Sequence, residues 1–70
     1  MERQSVSSGN ISSIGYDSES HTLEIEFHNG GVYQYFDVPQ STYDALMHAS
    51  SHGSYFHRYI KDQYRWVKIR

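Results

Sequence analysis

The sequence predicts an α+β domain, in which a three-stranded antiparallel β-meander precedes two helices packed on one face of the sheet. Residues 23–27 alternate apolar and acidic side chains, which is typical of a strand with one buried face. Asn29-Gly30 follows at once, and Asn-Gly between strands favours a hairpin because both residues accept positive φ at low cost. Beyond residue 40 the apolar spacing becomes helical. Strands followed by helices predict the α+β class.

The chain has 70 residues, which is enough for one small domain. We expect a flexible polar arm over residues 1–9, the domain itself over residues 10–64, and a basic segment over residues 65–70. That last segment alternates apolar and polar side chains, so it predicts either a tail or a short edge strand. The chain contains no cysteine, which excludes disulfides and zinc sites built on thiolates.

The first two strands are predicted over residues 10–16 and 21–27, with a turn between them at residues 17–20. In the second strand Leu23, Ile25 and Phe27 share one face. The intervening residues are polar or acidic, so we expect one packed face and one exposed face in this sheet.

Two registers of the hairpin are compatible with the sequence. A two-residue turn at 29–30 pairs Ile25 with Gln34 and places Tyr33 and Tyr35 on the exposed face. A three-residue loop with a glycine bulge pairs Ile25 with Tyr33 and turns both tyrosines toward the core. We favour the second register, because the first buries the amide of Gln34 without a partner. Tyr33 and Tyr35 are then mainly structural.

Two helices are predicted after Pro39, which ends the third strand because it has no N–H. For the first helix, Ser41 is the expected N-cap, with Asp44 three residues later. The residues expected to share its packed face are Tyr43, Leu46, Met47 and Ser50. Residues 50–53 are expected to break the helical pattern before a second helix over residues 54–64.

The second helix is expected to bury one side and to carry charge on the other. Phe56, Ile60 and Tyr64 fall at i, i+4 and i+8 and predict the packed side. Charged side chains at i, i+3, i+4 and i+7 predict a mainly basic stripe opposite, formed by Arg58, Lys61, Asp62 and Arg65.

The charge is distributed unevenly along the chain, although the net charge is only −2. Residues 1–57 carry seven acids and one base, whereas residues 58–70 carry five bases and one acid. A basic end on an acidic body indicates an anionic partner at that end. The candidate RNA-binding residues, with Trp66 available for base stacking, are Arg58, Lys61, Arg65, Trp66, Lys68 and Arg70.

The sequence gives little indication of a metal site or of catalytic residues. Asp44, His48 and His52 have a helical spacing that can chelate, but a break is expected near residue 50. No nucleophile elbow, paired carboxylates or phosphate-binding loop occurs. We therefore expect no catalytic residues, no metal, no cofactor and no enzymatic activity.

The N-terminal residues lack the apolar run of a signal peptide, and no segment is apolar enough to span a membrane. We expect a cytoplasmic protein that makes no membrane contact.

Several segments together resemble the KTSC domain family, over roughly residues 6–64. They are Ile-Gly-Tyr-Asp (14–17), Leu-Glu-Ile-Glu-Phe (23–27), Asn-Gly-Gly-Val-Tyr-Gln-Tyr (29–35), Val-Pro (38–39) and Ala-Ser-Ser-His-Gly-Ser-Tyr-Phe (49–56). Tyr33 and Tyr35 match the family signature, whereas His57 stands where the family often has Asn. The family takes its name from the C-terminal region of some lysyl-tRNA synthetases. The resemblance implies a β-β-β-α-α domain and suggests RNA binding, and it implies no catalytic residue.

Together these observations predict a small non-enzymatic domain that binds RNA of the tRNA type weakly, through its basic C-terminal helix and tail. The alternative is a protein–protein interaction module without a nucleic acid partner, which uses a sheet edge or exposed aromatic side chains.

Overall fold

The computed structural model describes all 70 residues as one five-stranded antiparallel sheet with two helices. The strands are β1 (Gln4–Ser5), β2 (Ile11–Asp17), β3 (Thr22–Phe27), β4 (Val32–Tyr35) and β5 (Trp66–Lys68), and the helices between β4 and β5 are α1 (Gln40–His48) and α2 (His52–Tyr59). The strands lie side by side in chain order. The α+β class is confirmed, but the predicted number of strands was wrong, since five are formed and not three.

The two additional strands are the short ones at the edges of the sheet. In β1, Gln4 pairs with Ile14 of β2, so part of the predicted polar arm lies in the sheet. In β5, Trp66 pairs with Tyr35 of β4, so residues 65–70 contain the edge strand that was one of their two alternatives. Strands of two and three residues are too short for alternation to identify them, and they form because a neighbouring strand supplies their hydrogen bonds.

The hairpin between β3 and β4 adopts the register that we favoured. Ile25 pairs with Tyr33, and the Phe27 N–H donates to the Gly31 carbonyl at 2.9 Å. Gly30 has φ of 95°, a conformation that a side chain disfavours, and the Asn29 Oδ1 accepts from the Gly31 N–H at 2.9 Å. The turn chemistry therefore determines which face of the sheet receives each tyrosine.

The predicted helix starts need correction. α1 begins at Gln40 with Pro39 as its N-cap, and no side chain caps it, so the prediction of Ser41 as N-cap was wrong. α2 begins at His52, where the Ser51 hydroxyl accepts from the Ser54 N–H at 3.2 Å. Residues 52 and 53 thus belong to the second helix and not to the break, because Ser51 provides an N-cap two residues earlier than expected.

The predicted end of the second helix, at residue 64, was also wrong. α2 ends at Tyr59, and Asp62 has φ of 66°, in the left-handed region that helices exclude. The chain reverses here, which allows Trp66 to pair with Tyr35. The expected helical stripe of Arg58, Lys61, Asp62 and Arg65 is therefore not formed.

The hydrophobic core lies between the two helices and one face of the sheet, which we call the inner face. Fully buried Leu23 and Ile25 of β3 contribute to it, as does Tyr35, which is 5% exposed. The remaining members are Ile11, Ile14, Val38, Leu46, Phe56 and Ile60. The prediction that Tyr35 packs in the core is confirmed. Neither helix is long and apolar enough to cross a membrane.

Candidate functional site

The outer face of the sheet, which points away from the helices, carries a polar network centred on Glu24. This residue is only 4% exposed although it is acidic. Its carboxylate forms an ion pair with Arg3 and accepts from Gln34 Nε2 at 2.8 Å. Arg3 also donates to Ser13 Oγ at 2.9 Å. Buried charge is tolerated only when it is paired and hydrogen-bonded, and both conditions are met here.

Gly15 allows the N-terminal residues to reach this network. A Cβ built at Gly15 would stand 2.6 Å from the Glu2 carbonyl oxygen and 3.0 Å from Arg3 Cγ. Any larger residue would displace β1 and with it the guanidinium of Arg3. The glycine of β2 thus permits the close approach that covers the outer face.

The protonation of Glu24 follows from these contacts. Burial opposes ionisation, but the hydrogen bonds from Gln34 and Arg3, together with the positive charge of Arg3, lower the pKa of Glu24 below its usual range. The group is therefore a satisfied carboxylate at neutral pH. We assign it a structural role, since its hydrogen bonds and its ion pair outweigh the effect of burial and stabilise the ionised state.

The inner face carries aromatic rings, and α1 covers the part of this face that contains Tyr16. The rings of Tyr16 and Tyr43 stack with centroids 4.7 Å apart and planes at 9°. The Tyr16 hydroxyl donates to the Val38 carbonyl at 2.5 Å. Both the ring and the hydroxyl of Tyr16 are therefore occupied by the fold.

The part of the inner face that contains Trp66 is not covered by a helix. Tyr33 contacts Phe27 edge-on at 5.6 Å, and on its other side its centroid lies 5.6 Å from that of Trp66. Phe56 connects this row to the core through Tyr35, at 5.4 Å. Trp66 is 51% exposed, because no helix extends over β5.

A cleft of about 560 Å³ lies above these rings, and we call it the aromatic cleft. Its floor consists of Phe27, Tyr33, Tyr35, Phe56 and Trp66. Residues 9–11 and 28–29 form one wall, and residues 53, 57 and 61–62 form the other. Its volume is in the range of small-ligand sites, and its floor is largely apolar.

The Tyr35 hydroxyl in the floor of the aromatic cleft is uncharged at physiological pH. Burial, assisted by Tyr33 and the negative charge of Asp62, raises the pKa of Tyr35 to about 12. Its hydroxyl therefore stays protonated. The cleft can offer a ring face and a hydroxyl donor, but no phenolate.

Two lysines border the aromatic cleft. Lys61 lines it beside Asp62, and Lys68 Nζ lies 5.9 Å from the centroid of the Tyr33 ring. The ion pairs of the protein involve only Arg3 and Arg70 as cations, so both lysines lack an acidic partner. They remain available to an anion.

The structure separates the six residues predicted to contact RNA. It brings Lys61, Trp66 and Lys68 together at the aromatic cleft, whereas Arg58 lines a neighbouring cleft. The Arg70 guanidinium instead binds Glu26 on the outer face at 2.8 Å.

Arg65 is also away from the aromatic cleft. It lies 5.4 Å from the centroid of the Phe36 ring. The Phe36 N–H donates to the Arg65 carbonyl at 2.9 Å. By strand alternation both side chains lie on the outer face.

Sequence reasoning treated Tyr33 as core and did not join it to Trp66. The signal was present in the alternation of residues 66–68, which puts Trp66 and Lys68 on one face of any strand formed there. Pairing of Tyr33 with Lys68 then places these three residues together.

The histidines considered as metal ligands bind backbone carbonyls. The Nδ1 atoms of His48 and His52 each lie 2.8 Å from a carbonyl oxygen, of Asp44 and Leu46 respectively. No group of three or more histidine, aspartate and glutamate side chains that could hold a metal ion occurs in the protein. The absence of a metal or cofactor stays a prediction.

Residues 7–64, most of the chain, match the KTSC domain. The chain belongs to the KTSC domain family. The crystal structure of a KTSC domain protein from Yersinia pestis superposes on it with a TM-score of 0.96 and 43% identity, covering 99% of this chain and 97% of that one. The family resemblance found in the sequence is thus confirmed.

Two curated relatives show how the domain occurs. An uncharacterised protein from Stutzerimonas stutzeri is 40% identical over 70 residues, which is 99% of each chain. A lysine–tRNA ligase from Trichormus variabilis is 39% identical over 59 residues, which cover 84% of this chain and 10% of the ligase. The domain therefore occurs both as nearly the whole of a small protein and as a small part of a much longer one.

Proposed function

We propose that this KTSC domain binds single-stranded RNA weakly in the aromatic cleft. The observation that carries the proposal is a half-exposed Trp66 packed against Tyr33, beside two lysines without ion-pair partners. Unpaired bases stack on aromatic side chains of a sheet, and neighbouring cations contact the phosphates. Trp66 is the stacking residue, and Lys61 and Lys68 contact the backbone of the RNA.

The lysine–tRNA ligase relative supports RNA as the class of ligand. Its similarity to this chain extends over 59 residues, which are 84% of the chain. Transfer RNA offers unpaired loop and terminal bases, which are the accessible targets for stacking. We therefore propose RNA of the tRNA type, held by a smaller set of cations than the sequence suggested.

The fluorescence of Trp66 provides a direct test, because the chain contains one tryptophan. Titration with unlabelled tRNA at low salt should quench this fluorescence. Two phosphate contacts predict that the logarithm of affinity falls against the logarithm of salt with a slope of about −1.4, from about −0.7 per contact on single strands.

Lys68→Ala should reduce that slope by about 0.7. Arg65→Ala is the matched control, because it also removes a cation without an ion pair, but on the outer face. A slope that Lys68→Ala leaves unchanged, or quenching that is absent at low salt, would contradict the proposal.

The free edge of β5 favours a second candidate, a protein–protein interaction module. Val67 and Ile69 are 42% and 49% exposed, and β5 has a strand neighbour on one side only. A partner strand that adds to this edge would cover both side chains. Such docking responds little to salt, so the salt titration separates the two candidates.

We also propose that the domain has no enzymatic activity. Support comes from the sequence, in which no nucleophile elbow, paired carboxylates or phosphate-binding loop occurs. The cytoplasmic location expected from the sequence stays a prediction.

A further inference from the structure

A second cleft, of about 740 Å³, adjoins the aromatic cleft, and we call it the α2 cleft. The two share four wall residues, which are Gly9, Asn10, Gly53 and His57. The two clefts therefore adjoin along the boundary that these residues form.

The α2 cleft repeats the chemistry of the aromatic cleft. The rings of Tyr55 and Tyr59 lie 4.7 Å apart, and Tyr59 is 50% exposed, nearly the same as Trp66. Arg58 lines this cleft and takes part in no ion pair. Each cleft thus offers one half-exposed ring and at least one free cation.

The geometry of α2 explains the position of this second ring. Phe56 and Ile60 are four residues apart and lie in the core. Tyr55 and Tyr59 each precede one of them by one position, so they share the adjacent side of the helix. Tyr59 is half exposed and is not a member of the core cluster, so its ring is available at the surface.

Gly53 lies at the boundary that the two clefts share. A Cβ built at Gly53 would stand 3.7 Å from Asn10 Nδ2 and 3.8 Å from Ser8 Oγ. These are ordinary van der Waals distances, so α2 approaches the N-terminal segment closely here. A strand that occupies both clefts would pass over this boundary, where Gly53 contributes no side chain.

We infer that the two clefts form one continuous groove that holds a single-stranded RNA segment of several nucleotides, with one base on Trp66 and another on Tyr59. The inference rests on the proposed function and extends it from one stacking site to two. Arg58 and Lys61, one in each cleft, contact the phosphates between the two bases. Duplex RNA is excluded, because its stacked bases cannot reach either ring.

Oligouridines of two lengths test this inference. A dinucleotide fills one stacking site, whereas a strand of about eight nucleotides spans both. Binding is followed by Trp66 fluorescence and, for variants without that ring, by the anisotropy of a labelled oligonucleotide. A self-complementary duplex of the longer length is the control for strandedness.

We expect the longer strand to bind at least about fivefold more tightly than the dinucleotide, since one stacked base contributes about 1–3 kcal/mol. Tyr59→Ala should remove that advantage and leave dinucleotide binding unchanged, whereas Trp66→Ala should weaken the binding of both. Ile69→Ala, which truncates an equally exposed side chain outside the groove, should change neither. Amide spectra of each variant show that it is folded.

Equal affinity of the wild-type protein for both lengths, or an unchanged length advantage in Tyr59→Ala, would overturn the two-site groove while the proposed function stands. If neither oligonucleotide binds the wild-type protein, both are overturned. Duplex binding as tight as that of the single strand would also overturn the inference.

Discussion

The two faces of the sheet use their side chains in opposite ways. On the outer face, charged groups neutralise one another, as Arg3 does with Glu24 and Arg70 with Glu26. On the inner face, the aromatic rings pack beneath α1 and α2. The helices do not extend over Trp66, which remains half exposed. The face with more charge therefore has less to offer an anion, because Arg3 and Arg70 are already bound and only Arg65 lacks an ion pair there.

The comparison also explains why the two glutamates of β3 would not oppose the proposed RNA binding. Glu24 and Glu26 share a strand with Ile25, but they point away from the aromatic cleft. Since their charges are paired, they exert little field across the sheet. The local charge near Trp66 is set by Lys61, Asp62 and Lys68.

We expect the largest change in the free energy of unfolding when a ring at the centre of the inner face is removed. Phe56 is 7% exposed and contacts the rings of Phe27 and Tyr35 at 5.5 and 5.4 Å. Phe56→Ala should lower the free energy of unfolding by about 3–5 kcal/mol, through lost burial and a new cavity. Urea denaturation measures it, with Ile69→Ala as the surface control. A loss no greater than that of the control would show that the inner face is not the main source of stability.

Removal of a charged side chain from the network on the outer face should lower the free energy of unfolding by a smaller amount. Arg3→Ala leaves the Glu24 carboxylate with Gln34 as its remaining partner. The substitution should lower the free energy of unfolding by about 2 kcal/mol, since a hydrogen bond to a charged group is worth about 1.5–3 kcal/mol. Arg65→Ala removes a guanidinium that has no ion pair but lies over the Phe36 ring, and it should lower the free energy of unfolding by less than about 1 kcal/mol. Equal losses in the two variants, measured by the same denaturation, would show that the network around Glu24 adds no stability.

The smallest effect is the acid sensitivity of the outer face. The folded-state pKa of Glu24 lies below its unfolded value, so its stabilising contribution is complete at neutral pH. That contribution should decline as the pH falls below about 4.3 and through the folded pKa. Glu24→Gln should flatten this part of the profile of unfolding free energy against pH. An identical acid slope in both proteins would assign the acid sensitivity to other carboxylates.

Local chemistry determined the central part of this protein. The alternation in residues 23–27 predicted β3, and the Asn-Gly-Gly turn, together with the cost of burying Gln34, predicted the register that places Tyr35 in the core. These signals act over a few residues, so the sequence alone was sufficient to predict them. The same segments carried the family resemblance that the match to residues 7–64 confirmed.

The tertiary structure decided the edges of the sheet and the composition of the candidate site. β1 and β5 have two and three residues and exist because β2 and β4 provide their hydrogen bonds. The helical spacing that linked Lys61 to Arg65 ends where Asp62 adopts φ of 66°. The chain reverses because Trp66 pairs with Tyr35, which is distant in sequence. Periodicity reflects only neighbouring residues, so it cannot detect such a reversal. That pairing sends Arg65 to the outer face and leaves Trp66, Tyr33 and two free lysines at the aromatic cleft. Arg70 lies beyond the end of β5, where its ion pair with Glu26 holds it on the outer face.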